Sequence, residues 1–478
     1  MKRATNRLCG WSAVLALTSV PLLSCSPAPR VRNVLIVSLD TVRADRLPAY
    51  GFRNIVTPAL DRLAEEGTVF EAAFAAVPLT LPSHATLFTG LNPPRTGVRD
   101  NAGAPLDDRI ETLAEIMKAQ GVRTGAFVAA SVLGRGRGVA QGFDTYSTGP
   151  AQSCRDTPQV RRSADAVVDD ALEWLARDQD KPFFAWVHLY DAHRPYRLPG
   201  EYGRAYADPY VAAIAFEDSQ IDRIMDHLRK TRVLDDTLVV IVGDHGESLG
   251  DHGEDSHGIF IYQETLRVPL ILRGRNIPAG RIASTVRMAD VMPTILDTFG
   301  WSATGFDGVS MLPLLRGDRE DAPREVYAES LYPERFGWAS LRSLRADRYK
   351  VIDAPRPELY DLESDAVEAR NLFETQRTRG AAMLERLQIL AGDKAPAASH
   401  PVDPALAARL AALGYVSRTA DDTRAPAAPA LDPKDVIGVF NQFTKASVDV
   451  ADARLSQCVE PRLEAPPDIH EAQRRHDR

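Results

Sequence analysis

Asn33-Val-Leu-Ile-Val-Ser-Leu-Asp40 is a continuous apolar run, broken by one serine and ended by an acid. Such a run reads as a strand buried on both faces, the habit of a parallel sheet covered by helices. The pattern recurs at Thr124–Ala130, Phe183–Leu189, Leu238–Val242 and Pro269–Leu272. Between these runs lie helical segments at Thr57–Glu66, Thr112–Gln120, Arg161–Arg177, Val211–Thr231 and Ala289–Phe299. Thr57 is expected to cap the first of them, with Pro58 in its first turn and Gly67 as its stop. The alternation predicts an α/β fold: a doubly wound, mostly parallel sheet with helices on both faces.

From about residue 325 the texture changes. Glu325–Ser330, Leu341–Leu344, Tyr349–Ile352 and Glu358–Leu362 are short extended segments, followed by a helical stretch near 376–391. They predict a small C-terminal antiparallel sheet-and-helix subdomain over 325–416, after a main domain over 26–324. Residues 417–478 read as a linker rich in Ala, Pro and Asp, then a tail with one or two helices near 434–456.

The 478-residue chain is 44% hydrophobic and 26% charged, with a net charge of −8. This is a globular composition without the clustered basic surface of a nucleic-acid binder. Lys2, Arg3 and Arg7 precede an apolar run of 13 residues, Trp11–Leu23. A span needs about 20 residues, so this is an export signal rather than a transmembrane helix. It ends in Leu22-Leu23-Ser24-Cys25, which resembles a bacterial lipoprotein cleavage box. Residues 1–25 are therefore expected to be a signal peptide with Cys25 lipidated, anchoring the protein to a bacterial membrane in the cell envelope or periplasm. The alternative is a plain signal peptide with an incidental cysteine. Cys154 and Cys458 remain in the mature chain, where an oxidising compartment permits a disulfide.

Four stretches carry chemistry. Asp40 ends the first buried run, at the sheet edge where α/β proteins bind ligands. Thr80-Leu-Pro-Ser-His84 places a hydroxyl at or just before a helix start that ends at Gly90, a position that favours anions. Gly243-Asp-His-Gly-Glu247 follows another apolar run, and Asp251, His252, Asp255 and His257 come next. Tyr190-Asp191-Ala-His193 follows a third run. Each stretch taken alone has a plain structural explanation: a capping acid, a threonine cap, a solvated loop. Carboxylate and imidazole together suit a divalent metal, with zinc favoured by the imidazoles and calcium or manganese also accommodated. Asp191, His193 and His257 are candidates for a second ion, or the two histidines bind the substrate anion without a metal. His188 reads as a structural or supporting histidine.

Taken together, these residues resemble the sulfatase family of the alkaline-phosphatase superfamily. The likeness runs from about residue 31 to 416 through Asn33–Leu47, Thr57–Leu63, Thr80–Asn101, Gly142-Phe143-Asp144, Asp244–Gly253, Val268-Pro269-Leu270 and Glu358–Leu362. It implies the doubly wound sheet and the smaller C-terminal sheet. The chain also departs from the family. Sulfatases carry Cys or Ser before x-Pro-Ser-Arg and oxidise that residue to formylglycine; here Thr80 and His84 take the places of the nucleophile and the arginine. The usual paired aspartates become Asp40-Thr41. The Gly-Lys-Trp-His type of motif is absent near Phe127–Ser131, and a lysine is replaced by His257. These changes resemble the nucleotide pyrophosphatase/phosphodiesterase relatives, which use a threonine nucleophile, two zinc ions and an asparagine 21 residues later. Asn101 stands 21 residues after Thr80.

The resemblance implies a metal-dependent hydrolase of phosphate or sulfate esters. Thr80 would be the nucleophile, with Asn101 and His84 assisting. Asp40, Thr80, Asp244 and His245 would hold the first of one or two ions, and Asp191, His193 and His257 a second. The substrate would be a small-molecule, lipid or glycan ester; no nucleic-acid partner is expected. The alternatives are a sulfuric ester hydrolase without formylglycine, an envelope phosphotransferase and a non-catalytic binding protein.

Overall fold

The computed structural model describes residues 31–149, 161–301, 304–320, 322–392 and 430–459. Cys25 and Cys154 lie outside the described residues, as does most of the expected linker.

Nine strands form the main sheet: β1 (Asn33–Leu39), β2 (Thr68–Phe74), β3 (Arg123–Val128), β4 (Thr145–Ser147), β5 (Phe183–Leu189), β6 (Thr237–Gly243), β7 (Arg267–Val268), β8 (Leu270–Arg273) and β9 (Gly280–Arg287). Their order is β4-β3-β5-β1-β6-β8-β2-β7, with β9 beside β2. The central run β4-β3-β5-β1-β6 is wholly parallel, and β8 enters antiparallel to β6. Every residue of β1, β5 and β6 is buried. One group of helices packs on the sheet as α1 (Pro58–Glu66), α4 (Ala164–Leu175) and α5 (Pro209–Lys230), the other as α2 (Thr80–Thr89), α3 (Leu113–Ala119) and α6 (Val291–Thr298). This is the mixed, mostly parallel α/β sheet that the apolar runs predict. Strands β2 and β9 carry no such signal: β2 contains Glu71, and β9 is polar and largely exposed.

The cap of α1 differs from expectation. Thr57 makes no capping bond; its hydroxyl instead meets Asp61 Oδ1 at 3.1 Å. The open N–H groups of Ala59 and Leu60 donate to the Asp218 carboxylate on α5, at 3.2 and 2.8 Å. A tertiary carboxylate thus does the work of a local hydroxyl.

A second, antiparallel sheet follows: β10 (Val326–Ser330), β11 (Leu341–Ala346), β12 (Tyr349–Asp353) and β13 (Glu358–Asp361). Helix α7 (Arg377–Ala391) covers it through Leu387 and Ala391 against Tyr327, Leu344, Val351 and Leu359. Helix α8 (Pro433–Val459) completes the described chain. Among the described residues no helix is long and apolar enough to cross a membrane.

The second sheet grips the first through buried polar groups. Lys350 Nζ donates to the Ile261 carbonyl at 2.6 Å and pairs with Glu368 at 2.7 Å, both side chains buried. Tyr262 O–H donates to Glu358 at 2.8 Å. Removing one partner of a buried pair leaves the other charge uncompensated. Lys350→Met should therefore lower the unfolding free energy by about 3 kcal/mol, and adding Glu368→Gln should return part of that loss. Urea denaturation of the two variants beside wild type measures it.

Candidate active site

Strands β1 and β6 are adjacent and parallel, with Leu39 opposite Gly243. Asp40 and Asp244 each follow their strand by one residue, so they emerge side by side at the carboxyl edge of the sheet. Asp244 N–H donates to the Leu39 carbonyl at 3.2 Å, and Asp40 N–H to that of Leu189 at 3.0 Å. Thr41 then turns into the left-handed region, φ 59°, a strained conformation for a β-branched residue. That turn directs its N–H to Asp244 Oδ1 at 3.2 Å. Gly246 lets the next loop close on Glu264 and Thr265: a Cβ there would sit 1.9 Å from the Glu264 carbonyl oxygen.

Asp40, Asp244 and His245 each bring a ligand atom within 4.8 Å of the others, and all three are buried. Asp40 Oδ1 and Asp244 Oδ2 are buried with no hydrogen-bond partner among the described residues. Burial raises the Asp40 carboxyl to about 7, against the pull of His245 and Thr80. Burial, and then Asp40, raise Asp244 to about 6. Burial opposes the His245 imidazolium, but Asp244 and Asp40 outweigh it and hold its pKa above the usual value. Unpaired carboxylate oxygens in a dry site are costly unless a proton or a cation joins them. The donor set of two carboxylates and one imidazole fits a divalent cation.

Thr80 is the first residue of α2, whose ten residues are all buried. Its hydroxyl donates to Asp40 Oδ2 at 3.2 Å and lies 3.5 Å from His245 Nε2. Asn101 Oδ1 accepts from the Leu81 N–H at 2.8 Å, so this helix-start amide is occupied from within. The donor left over is Asn101 Nδ2, buried and without a partner among the described residues. Arg137 Nη2 fixes the Asn101 loop through the carbonyls of Asn101 and Gly103, at 3.0 and 2.8 Å.

His84 departs from its expected assisting role. Its Nδ1 lies 2.7 Å from the Thr80 carbonyl, which can only accept, so Nδ1–H donates there. Its Nε2 lies 2.9 Å from Ser38 Oγ, and Trp186 Nε1–H donates to that same oxygen at 2.8 Å. Ser38 therefore passes its own proton toward Nε2. Both ring nitrogens of His84 are spent, and burial lowers its pKa to about 3. His84, His188 and Asp244 also come within 4.8 Å of one another. With both its nitrogens committed, His84 is a positioning residue rather than a ligand or a proton donor.

His188 sits as a supporting histidine: its Nε2 lies 3.2 Å from Asp40 Oδ2. Ser38 pairs with His188 across β1 and β5, and strand alternation puts His188 on the face of Trp186. This signal needs the register of two strands 148 residues apart.

His193 and His257 do converge. Their ring centres are 5.0 Å apart, and that of His257 is 4.5 Å from that of His245. Asp191 does not join them. Its carboxylate accepts from Ala164 N–H at 2.8 Å, capping α4, while the N–H groups of Asp191 and Ala192 donate to Glu217 at 2.7 and 3.1 Å. A turn closed by His193 N–H to the Tyr190 carbonyl at 3.2 Å separates the two side chains. The acid beside the histidines is instead Glu247, whose Oε1 is 3.2 Å from His257 Nδ1. Glu247 Oε2 and His193 Nε2 are buried without a hydrogen-bond partner among the described residues. Burial and neighbouring cationic groups hold His193 and His257 well below the usual histidine range.

Comparison with known proteins accords with this architecture. The model of the Sulfatase family matches residues 32–301, and that of the N-sulphoglucosamine sulphohydrolase C-terminal region matches 250–390. A Delta 4,5-hexuronate-2-O-sulfatase of Bacteroides thetaiotaomicron is 24% identical over 412 residues, covering 71% of this chain and 84% of the relative. A Choline-sulfatase of Rhizobium meliloti is 26% identical over 433 residues, covering 72% and 83%. The crystal structure of a phosphonate monoester hydrolase of Agrobacterium radiobacter superposes with a TM-score of 0.64 at 23% identity, covering 75% of this chain and 95% of that one. The acids at the ends of adjacent strands, the buried helix start and the second sheet thus belong to an ester hydrolase of the sulfatase family.

Proposed function

We propose that this chain is a metal-dependent hydrolase of phosphate or sulfate esters that uses Thr80 as its nucleophile. The observation that carries the proposal is the Thr80 hydroxyl, 3.2 Å from Asp40 and 3.5 Å from His245, inside a buried trio with two unpaired carboxylate oxygens. Asp40, Asp244 and His245 would hold a divalent cation, which when bound supplies the positive charge that lowers the pKa of a neighbouring hydroxyl. Zinc suits the imidazole; calcium or manganese suits the carboxylates.

The residues divide the work as follows. As Thr80 Oγ bonds to the phosphorus or sulfur of the ester, the bond to the leaving oxygen breaks; the threonine proton passes along the hydrogen bond to Asp40, and the departing alkoxide takes a proton from water. His188 and Thr41 keep the two carboxylates in place. Asn101 Nδ2 donates to a non-bridging oxygen, which gains charge as the bond forms. His193 and His257 lie on the side where the leaving oxygen departs, steadied by Glu247. Water then displaces Thr80 Oγ, which recovers its proton. His84 holds the Thr80 carbonyl and thereby the start of α2.

A threonine oxidises to a ketone and cannot yield the formylglycine aldehyde. This favours the direct hydroxyl route, and it tilts the choice toward phosphate esters. The names of the sequence relatives favour the second reading, a sulfuric ester hydrolase on small-molecule or glycan substrates that works without formylglycine. We further propose export and anchoring through Cys25 in the cell envelope, on the pattern of the first 25 residues.

Assays with p-nitrophenyl phosphate, bis-p-nitrophenyl phosphate and p-nitrophenyl sulfate separate the ester classes. Thr80→Ala should cost about a thousandfold or more in kcat, while Thr80→Ser retains turnover. Intact mass spectrometry should find an unmodified threonine; an oxidised residue 80 would sink the proposal. Asn101→Ala should lower kcat about a hundredfold.

Metal removal has its own signature in pH. Between the ordinary carboxyl value of 3.8 and about 7, folded metal-free chain binds more protons at Asp40 and Asp244 than unfolded chain does. The stability these two acids contribute therefore falls as pH rises through that window. Cation binding requires both carboxylates ionised and gains strength over the same range. Measured against an Asp40→Asn/Asp244→Asn variant, which cancels the opposing contribution of the buried histidines, the melting temperature of EDTA-treated wild type should drop between roughly pH 4 and pH 7, and the stabilisation by added Zn²⁺ should grow. A stabilisation independent of pH would remove these two acids from the metal site.

A further inference from the structure

Helix α8 lies beyond residue 390, where the matched family regions end. Yet it returns to the rim of the site. Asn441 spans the tip of the loop between Glu247 and His257: its Oδ1 accepts from Asp255 N–H at 3.0 Å, and its Nδ2 donates to the Gly253 carbonyl at 2.8 Å. One side chain thus fills an acceptor and a donor of the loop two residues before His257. Ile437, one turn earlier on the helix, comes within 3.7 Å of where a Cβ on Gly253 would lie.

The same helix turn also holds the Tyr332–Phe336 segment. Phe440 is 2% exposed and packs edge-on against Tyr332 and Phe336, at ring distances of 6.0 and 5.7 Å. Phe443 adds an edge contact to Phe336 at 6.0 Å. Between those two aromatics in sequence, Arg335 donates to Asp100 Oδ2 at 2.6 Å, beside Asn101. Tyr332 also lies against Gly258, next to His257: a Cβ there would be 3.3 Å from its ring. The helix is anchored at its start by Lys434, which pairs with Glu358 and with Asp432, and by the backbone bond from Ala339 N–H to the Leu431 carbonyl at 2.9 Å.

We propose that Asn441 and Phe440 are positioning residues of the active site. By tying the His257 loop to the segment that steadies Asn101, the helix sets the distance between the group facing the leaving oxygen and the group facing the non-bridging oxygen. This rests on the roles given above to His257 and Asn101. The loop is also held by its own turns, Ser248 N–H to Ser256 and Gly250 N–H to Glu254, by Arg43 on Asp251 and by His252 on Glu264; Asn441 adds the bonds at Gly253 and Asp255, where its loss should raise local opening next to His257.

The test uses the full chain with Asn441→Ala, Phe440→Ala, Asn441→Gln and, on the exposed side of the same helix, Val439→Ala. Amide exchange is read over 251–259, and kcat and KM on the best p-nitrophenyl ester. Asn441→Ala and Phe440→Ala should speed exchange in that loop and lower kcat about tenfold with KM little changed. Asn441→Gln, which keeps donor and acceptor, should recover part of both, and Val439→Ala should match wild type. Unchanged loop exchange in both alanine variants would overturn the proposal, and so would faster exchange with kcat intact. The exchange measurement stands without turnover: a wild type lacking Thr80-dependent activity would refute the proposed hydrolysis while loop exchange still reports whether the helix holds the loop.

Discussion

Two carboxylates and an imidazole share a buried space at the ends of β1 and β6, and the rest of the site is arranged around that concentration of charge. The parallel register of Leu39 and Gly243 puts Asp40 and Asp244 at the same depth. Among the described residues neither acid has a lysine or arginine as a partner. Their charge is balanced instead by His245, by the hydrogen bonds from Thr80 and His188, and by whatever proton or cation joins the two free oxygens. A buried ion pair gains stability only with nearly complete hydrogen bonding. Here the bonding is left incomplete at Asp40 Oδ1 and Asp244 Oδ2. Incomplete bonding in an otherwise close-packed core is the usual mark of a place built for a ligand.

Beneath this charged layer lies a neutral one. Trp186, Ser38, His84 and the Thr80 carbonyl form a chain in which each donor meets one acceptor. Within it, His84 stands at the motif position where the sulfatase pattern that the sequence resembles has an arginine. An uncharged imidazole with both nitrogens satisfied holds the helix start without adding charge to the trio above it. Phe88 packs edge-on against Trp186 at 4.6 Å and keeps the chain dry. A fully satisfied buried network of this sort rigidifies its surroundings, which suits a nucleophile that must be held rather than moved.

The outer wall comes from distant parts of the chain. The loop from Glu247 to His257 folds back over the buried Glu254 carboxylate, which accepts from the N–H groups of Ile259 and Phe260. The second sheet grips the segment just after it through Tyr262 and Lys350, and His252 stacks on the Tyr262 ring at 3.8 Å. Helix α8 closes the far side. The smaller sheet and the last helix therefore bear on the polar rim as much as on stability.

Much of this was legible from residue order. Apolar runs mark β1, β5 and β6 because a strand covered on both faces admits few polar side chains. Asp40, Thr80, Asp244 and His245 stood out because each sits at the end of such a run or at a helix start, and strand ends converge at one edge of a parallel sheet. The outer strand β9 gave no comparable signal, since an exposed strand tolerates polar residues, and the apolar run of β2 is broken by Glu71. The partners set by register and packing were equally hidden. His188 reaches Asp40 only once β5 lies beside β1. Asp218 caps α1, and Asp191 leaves the histidines to cap α4, because helix starts present unpaired N–H groups that only the folded neighbours can reveal. Glu247 takes the place intended for Asp191, and Asn441 secures a loop nearly two hundred residues earlier. Local pattern reports what a side chain can bond to; which of its possible partners it meets depends on the packing of segments far apart in the chain.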